Sequence, residues 1–199
     1  MERLLDVCEK LFLVLLAAPF LVAFYKALPF EPQLVLLALS ETLAVFFILI
    51  HRRGVVRQRP SAWILGLLGT ALPLLVRPDP SATMIAPPAV GTALMMAGLL
   101  LTIAAKLFLN RSFGIVAANR GIKRAGPYRL VRHPMYLGYV VGEIGFLLTS
   151  FSLLTLGLYL LAWGLQVGRI LQEEQLLRED PDYRRYAGRV RWRLVPGLF

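Results

Sequence analysis

Apolar residues run along this chain in blocks, and polar residues gather between them. Six blocks stand out, at about 5–28, 33–51, 61–77, 88–109, 134–149 and 152–171. A bilayer core is crossed by roughly 20 helical residues, so each block is predicted as a helix of about spanning length. The third and fifth are short, and the fourth, "AVGTALMMAGLLLTIAAKLFLN", is the clearest. The first block opens on "MERLLDVCEK", too acidic for a signal peptide, and runs on apolar past any cleavage site. It is predicted as a retained helix, kinked at Pro19.

Composition agrees with this pattern. The chain has 199 residues, 57% hydrophobic and 17% charged, whereas soluble domains carry about a quarter charged residues. Six spans leave no room for a soluble domain. The expected fold is all-α: a polytopic integral-membrane helical bundle of about six spans, the last two forming a hairpin. It is a single membrane domain over 1–199, without a Rossmann domain.

Charge sets the orientation. With both termini cytoplasmic, 20 of the 22 lysines and arginines fall at or near the inner face, in 1–10, 51–60, 110–133 and 169–199 and at Lys106. Lys26 and Arg77 alone fall outside. The positive-inside rule predicts this topology and an even number of spans. It also accounts for most of the net charge of +10 without nucleic acid, leaving anionic lipid as the partner. Cys8 is the one cysteine, and His51 and His133 belong to no metal-binding pattern. No GxGxxG motif opens a helix after a strand.

Candidate chemistry lies in two cytoplasmic stretches. In "GPYRLVRHPMYLG", residues 126–138, Gly126-Pro127 reads as a turn. His133 is biased toward extended backbone by Pro134, which itself suits a first helical position. The stretch delivers Tyr128, Arg132 and His133 to the cytoplasmic mouth of the bundle, with Tyr136 following. In "RILQEEQLL", residues 169–177, Arg169 and Glu173 share a helical face with Gln166. Their order is the reverse of the one that favours an ion pair. One of the adjacent acids Glu173 and Glu174 is expected to face the mouth. Tyr183, Tyr186 and Trp192, spaced among arginines, suggest a tail lying on the interface.

Inside the apolar blocks, Glu41 and Glu143 stand out, because ionisable groups are rare there. Glu41 is expected to be structural, and Glu143 either structural or functional. Gly138, Gly142 and Gly145 would let a neighbouring helix approach closely.

The sum is a polar pocket beside the lipid. It suits a polar cofactor from the cytosol and an apolar substrate from the bilayer. A carboxylate fits ribose hydroxyls, aromatic faces fit adenine or a sulfonium, and guanidinium groups fit a carboxylate. Without an evident nucleophile–base pair or metal cluster, chemistry by positioning is expected, such as in-line methyl transfer.

These two motifs, in this order and about thirty residues apart, resemble the isoprenylcysteine carboxyl methyltransferase family. The resemblance covers roughly 105–199; the spans in 1–104 match only in being helices. It implies an integral-membrane methyltransferase that uses S-adenosylmethionine in a pocket closed by cytoplasmic loops. It implies cofactor contacts from Tyr128, His133, Pro134, Met135 and Tyr136, with Glu173 on the ribose or amino group and Glu174 less important. The strip Arg120, Gly121, Ile122 and Lys123 falls where the family contacts cofactor. Arg120 and Lys123 depart there from the family's histidine and apolar residues. Arg169 would face the substrate carboxylate, and Arg132 would act electrostatically or structurally; these two are the catalytic candidates. Arg169 and Glu143 are the substrate-binding candidates. The implied acceptor is an isoprenylcysteine-like or other lipophilic carboxylate entering from the bilayer. Phospholipid amines or small thiols are alternatives, as is an NADPH-dependent reductase of the sterol-reductase type. The short, basic, leucine-rich chain points to a prokaryotic cytoplasmic membrane, and no obligatory protein partner is evident.

Overall fold

Proline starts most of the helices. The computed structural model describes parts of 7–22 together with 32–52, 55–56, 60–76, 82–114 and 118–199. Helices α1 (Pro32–Ile50), α2 (Pro60–Ala71), α3 (Pro88–Leu109), α4 (Pro134–Thr149) and α6 (Pro181–Arg189) each open on a proline. The first helical residue needs no N–H partner, and proline's fixed φ is already helical. α5 (Leu153–Leu177) starts differently: the Ser152 hydroxyl accepts the Thr155 N–H at 3.2 Å.

The helices fall on the second to sixth apolar blocks. α2 runs on as a 3₁₀ turn, Leu72–Leu75, and α3 as another, Asn110–Ser112. The first block lies largely outside the described residues; those described between 7 and 22 are helical. Among the described residues, two helices are long and apolar enough to cross a bilayer, Pro88–Ser112 and Leu153–Leu177, and Ala38–Ile50 and Pro134–Thr149 are shorter apolar helices.

The tightest seam joins α3 to α4. A Cβ on Gly98 would lie 2.5 Å from Gly138 O and 2.6 Å from Gly142 N, and one on Gly145 would lie 2.6 Å from Gly91 O. The backbones therefore touch, the arrangement small residues permit in membrane helix pairs. Gly142 has a different part from the one its spacing suggested: a Cβ there would meet nothing within 4 Å. Its backbone is approached by Gly98, but its own missing side chain is not what allows the contact.

The α4–α5 hairpin is held through large side chains. Phe146 meets Tyr159 edge-on at 6.2 Å, the Trp163 indole donates to Glu143, and Tyr136 reaches Glu173 at 3.4 Å. α5 otherwise packs on α2, and α1 on α3. Lys106, counted with the cytoplasmic bases, is in fact 1% exposed. Its ammonium donates to Ser40 O and Oγ, each at 2.9 Å, and lies 3.7 Å from Glu41. A buried ammonium needs such partners, so Lys106 and Glu41 fasten α3 to α1. The described part of the Pro-rich connector is tied to the hairpin tip, Thr83 and Phe151 exchanging backbone hydrogen bonds at 2.9 Å.

Candidate functional site

The site is built where α4 begins, α5 leaves the apolar layer and two loops close in. The 3₁₀ turn Gly126–Arg129 carries Tyr128 inward, where its hydroxyl donates to Ala105 O at 3.4 Å. Gly126 has φ +59°, and a Cβ there would lie 2.5 Å from the Phe108 ring. The turn therefore sits against the last turn of α3. A two-residue antiparallel pairing joins β1 (Val55–Val56) to β2 (Ala118–Asn119) beside it. Gly121 follows with φ +99°, a conformation that favours glycine.

The adjacent acids of α5 separate into two roles. Glu174 is buried, and four bases surround it. Arg132 Nε donates to Oε1 at 2.7 Å, with His133 Nε2 3.3 Å from the same oxygen. Arg193 Nε donates to Oε2 at 3.0 Å, and Arg178 reaches it at 3.5 Å. Arg132 Nη1 also donates to Val190 O at 3.1 Å. The backbone N–H groups of Arg132 and His133 donate to Trp192 O and Arg193 O at 2.9 and 2.8 Å. The C-terminal tail is thus strapped across the start of α4, with Glu174 as its pin.

Glu173 faces the cavity instead. Among the described residues it has no ion pair; the Tyr136 hydroxyl donates to it at 3.4 Å. Arg169 and Glu173 do not pair. The Arg169 guanidinium lies over the Tyr136 ring, 5.3 Å from its centroid, and donates to Gly114 O at 3.1 Å. His133 stacks on the same Tyr136 ring, with ring centroids 5.8 Å apart. Gln166 is buried nearby on α5, its Oε1 without a hydrogen-bond partner among the described residues.

Of the candidates, Arg120, Gly121, Ile122, Lys123, Tyr128, Arg132, His133, Met135, Tyr136, Arg169 and Glu173 all line one cavity. Pro134 does not; it is fully buried at the start of α4. Glu143 also lies apart, roughly 15 Å along α4 from His133 at 1.5 Å per residue, bound to Trp163.

Three features were missed in the sequence. Tyr183 and Tyr186 are buried and line the cavity, so α6 folds over the site, and of the three tail aromatics Trp192 alone stays exposed. Tyr186 donates to Tyr128 O at 2.7 Å, and burial pushes its hydroxyl up to about 12, so it remains a donor. Burial likewise raises Tyr128 well above the usual tyrosine range. The spacing of Tyr183 and Tyr186, three apart after the helix-starting Asp180-Pro181, was the available signal. The roles of Arg193 and Glu174 had none, because their partners are distant in sequence.

A helical, membrane-type chain with a polar cavity at one end of its spans is the class this geometry defines. Residues 89–179, just under half of the chain, match the model of the isoprenylcysteine carboxyl methyltransferase (ICMT) family. The matched region runs from the second residue of α3 to just beyond α5, and the chain is similar there to a family of membrane methyltransferases. None of the curated proteins compared with the chain matches it.

Proposed function

We propose that the chain transfers a methyl group from S-adenosylmethionine to the carboxylate of an isoprenylcysteine-like or other lipophilic acceptor at the cytoplasmic face. The observation that carries this reading is the division between the two acids. Glu174 takes up the surrounding arginines, and Glu173 stays in the cavity without an ion pair. A carboxylate left in that state is an acceptor for ribose hydroxyls or an ammonium. The residues present fit the cofactor: Glu173 is beside the buried rings of Tyr128 and Tyr136, and such ring faces attract a sulfonium.

The cofactor supplies an electrophilic methyl group on sulfur. Arg169, held over Tyr136, keeps donors for the acceptor carboxylate. An acceptor of that kind is already anionic near neutral pH and needs no general base. One carboxylate oxygen gains the O–CH₃ bond as the S–CH₃ bond breaks. The chain's contribution is alignment and exclusion of water, with α6 and the tail covering the cavity. Arg132 is then a positioning residue, held by Glu174. The proposal includes six spans in a prokaryotic cytoplasmic membrane, with both termini inside.

One observation favours a second reading. Arg120, Lys123, Arg132 and Arg169 give the cavity four cationic side chains, which would also suit the phosphates of NADPH. Separate addition of S-adenosylhomocysteine and NADPH to purified protein decides between them. Thermal stabilisation by S-adenosylhomocysteine alone is expected, and stabilisation by NADPH alone would transfer the site to a reductase.

A further inference from the structure

Away from this cavity, four arginines from two distant segments converge. Arg124 precedes the 3₁₀ turn and Arg129 is its last residue, and Arg185 and Arg189 stand one helical turn apart on α6. With Tyr186 and Val190 they line a separate groove. Tyr183 on α6 is buried against the site, and the buried Tyr186 lies between the cavity and this groove. Arg124 and Arg185 share one acid, Asp182. The guanidinium groups of Arg129 and Arg189 make no hydrogen bond or ion pair among the described residues. Four like charges against one carboxylate repel one another, and an anion between them removes that repulsion.

The depth of the groove is set by α3. Tyr128 donates to Ala105 O, and Gly126 rests against Phe108, so the turn is fixed at the end of a helix of spanning length. Phe108 is 45% exposed, and Leu130, next to Arg129, is 71% exposed. Exposed apolar side chains at the same turn as these arginines, Phe108 packed at Gly126 and Leu130 following Arg129, match the boundary between acyl chains and headgroups. Arginine's planar fork suits two oxygens of a phosphate.

We propose that this groove binds the phosphate of a net-anionic phospholipid headgroup, with Arg129 and Arg189 as its principal donors. A free phosphate offers the same oxygens but no acyl chain for Leu130 and Phe108. The test uses full-length protein in nanodiscs of phosphatidylcholine and phosphatidylglycerol in equal parts. Lipid retained on the released protein is read by native mass spectrometry. The parent is expected to retain phosphatidylglycerol in preference, and the double variant Arg129→Gln/Arg189→Gln to lose at least fivefold of that preference. Arg191→Gln, an exposed arginine outside the groove, should keep it. Retention unchanged in the double variant overturns the proposal. So does a delipidated parent stabilised by inorganic phosphate as strongly as by phosphatidylglycerol, because the ligand is then a soluble anion. The double variant should melt with the parent in phosphatidylcholine alone; a large loss there shows internal partners for these arginines and also overturns the proposal.

Discussion

At the scale of single residues, two neighbouring glutamates have opposite consequences. Glu173→Gln removes a charged acceptor from the cavity and leaves the fold intact. Losing such a hydrogen bond costs about 1.5–3 kcal/mol, so S-adenosylhomocysteine should bind roughly ten- to a hundredfold more weakly by calorimetry. Glu174→Gln strands Arg132 beside a neutral partner. Breaking one side of a buried pair costs about 3–5 kcal/mol, so this variant should melt early in detergent, before any question of binding arises. Equal stability of the two variants would show that the helix is turned by one residue. Arg169→Ala tests the acceptor side: methyl transfer should fall heavily while cofactor affinity stays near the parent's. Collapse of that affinity would put Arg169 in the cofactor site instead. Glu173, Tyr128, His133 and Arg169 were legible in the sequence because both motifs lie within short segments whose geometry proline and helical period dictate. Glu174 was expected to matter less, since its importance comes from Arg193 and the strapped tail, contacts that no local pattern encodes. Glu143 was legible as an unusual acid, but its Trp163 partner on the neighbouring helix was not.

At the scale of helices, α3 and α4 approach until their backbones touch, and the two sides of that seam differ in tolerance. Gly98→Ala places a methyl group 2.5 Å from a carbonyl oxygen that cannot move without separating the helices. Overpacking of this kind costs roughly 1–3 kcal/mol, and the thermal midpoint should fall accordingly. Gly142→Ala meets open space and should melt with the parent. If both variants melt alike, the seam is not the stabilising contact. The extents of α1 to α5 follow closely from apolar runs and starting prolines, and α5 passes its apolar block by one and a half turns because "RILQEEQLL" is itself a good helix former. The partners of each helix were less legible. Three glycines in α4 announce a close neighbour without saying which, and Gly142 shares their spacing while facing open space. Aromatic residues along α4 and α5 read as apolar bulk, and only the fold shows them spacing the hairpin above the cavity.

At the scale of the whole molecule, every feature of the proposed chemistry needs the cavity on the cytoplasmic side, where cofactor is available. Under the proposed six-span assignment of loops, twenty of 22 basic residues would fall on one face, and Lys106, although buried, belongs to the helix end that carries the cavity. Removing it from the count leaves the asymmetry intact. On the proposed orientation the α3 and α5 ends that frame the cavity would lie inside, and the connector hydrogen-bonded to the hairpin tip would lie outside. Reporter fusions at Phe30, Pro80 and Ser150 should accordingly report outside, and fusions at Arg57 and Phe199 inside. The demanding position is Ser150, because α4 has 16 residues, about 24 Å at 1.5 Å per residue, against a core of about 30 Å. A short helix pressed along its length on α3 can still reach the far face if the bilayer thins beside it. An inside report at Ser150 with Phe199 also inside would make the hairpin re-entrant and keep the cavity cytoplasmic. An outside report at Phe199 would invert the cavity, and a methyl donor made in the cytosol would then have no access to Glu173.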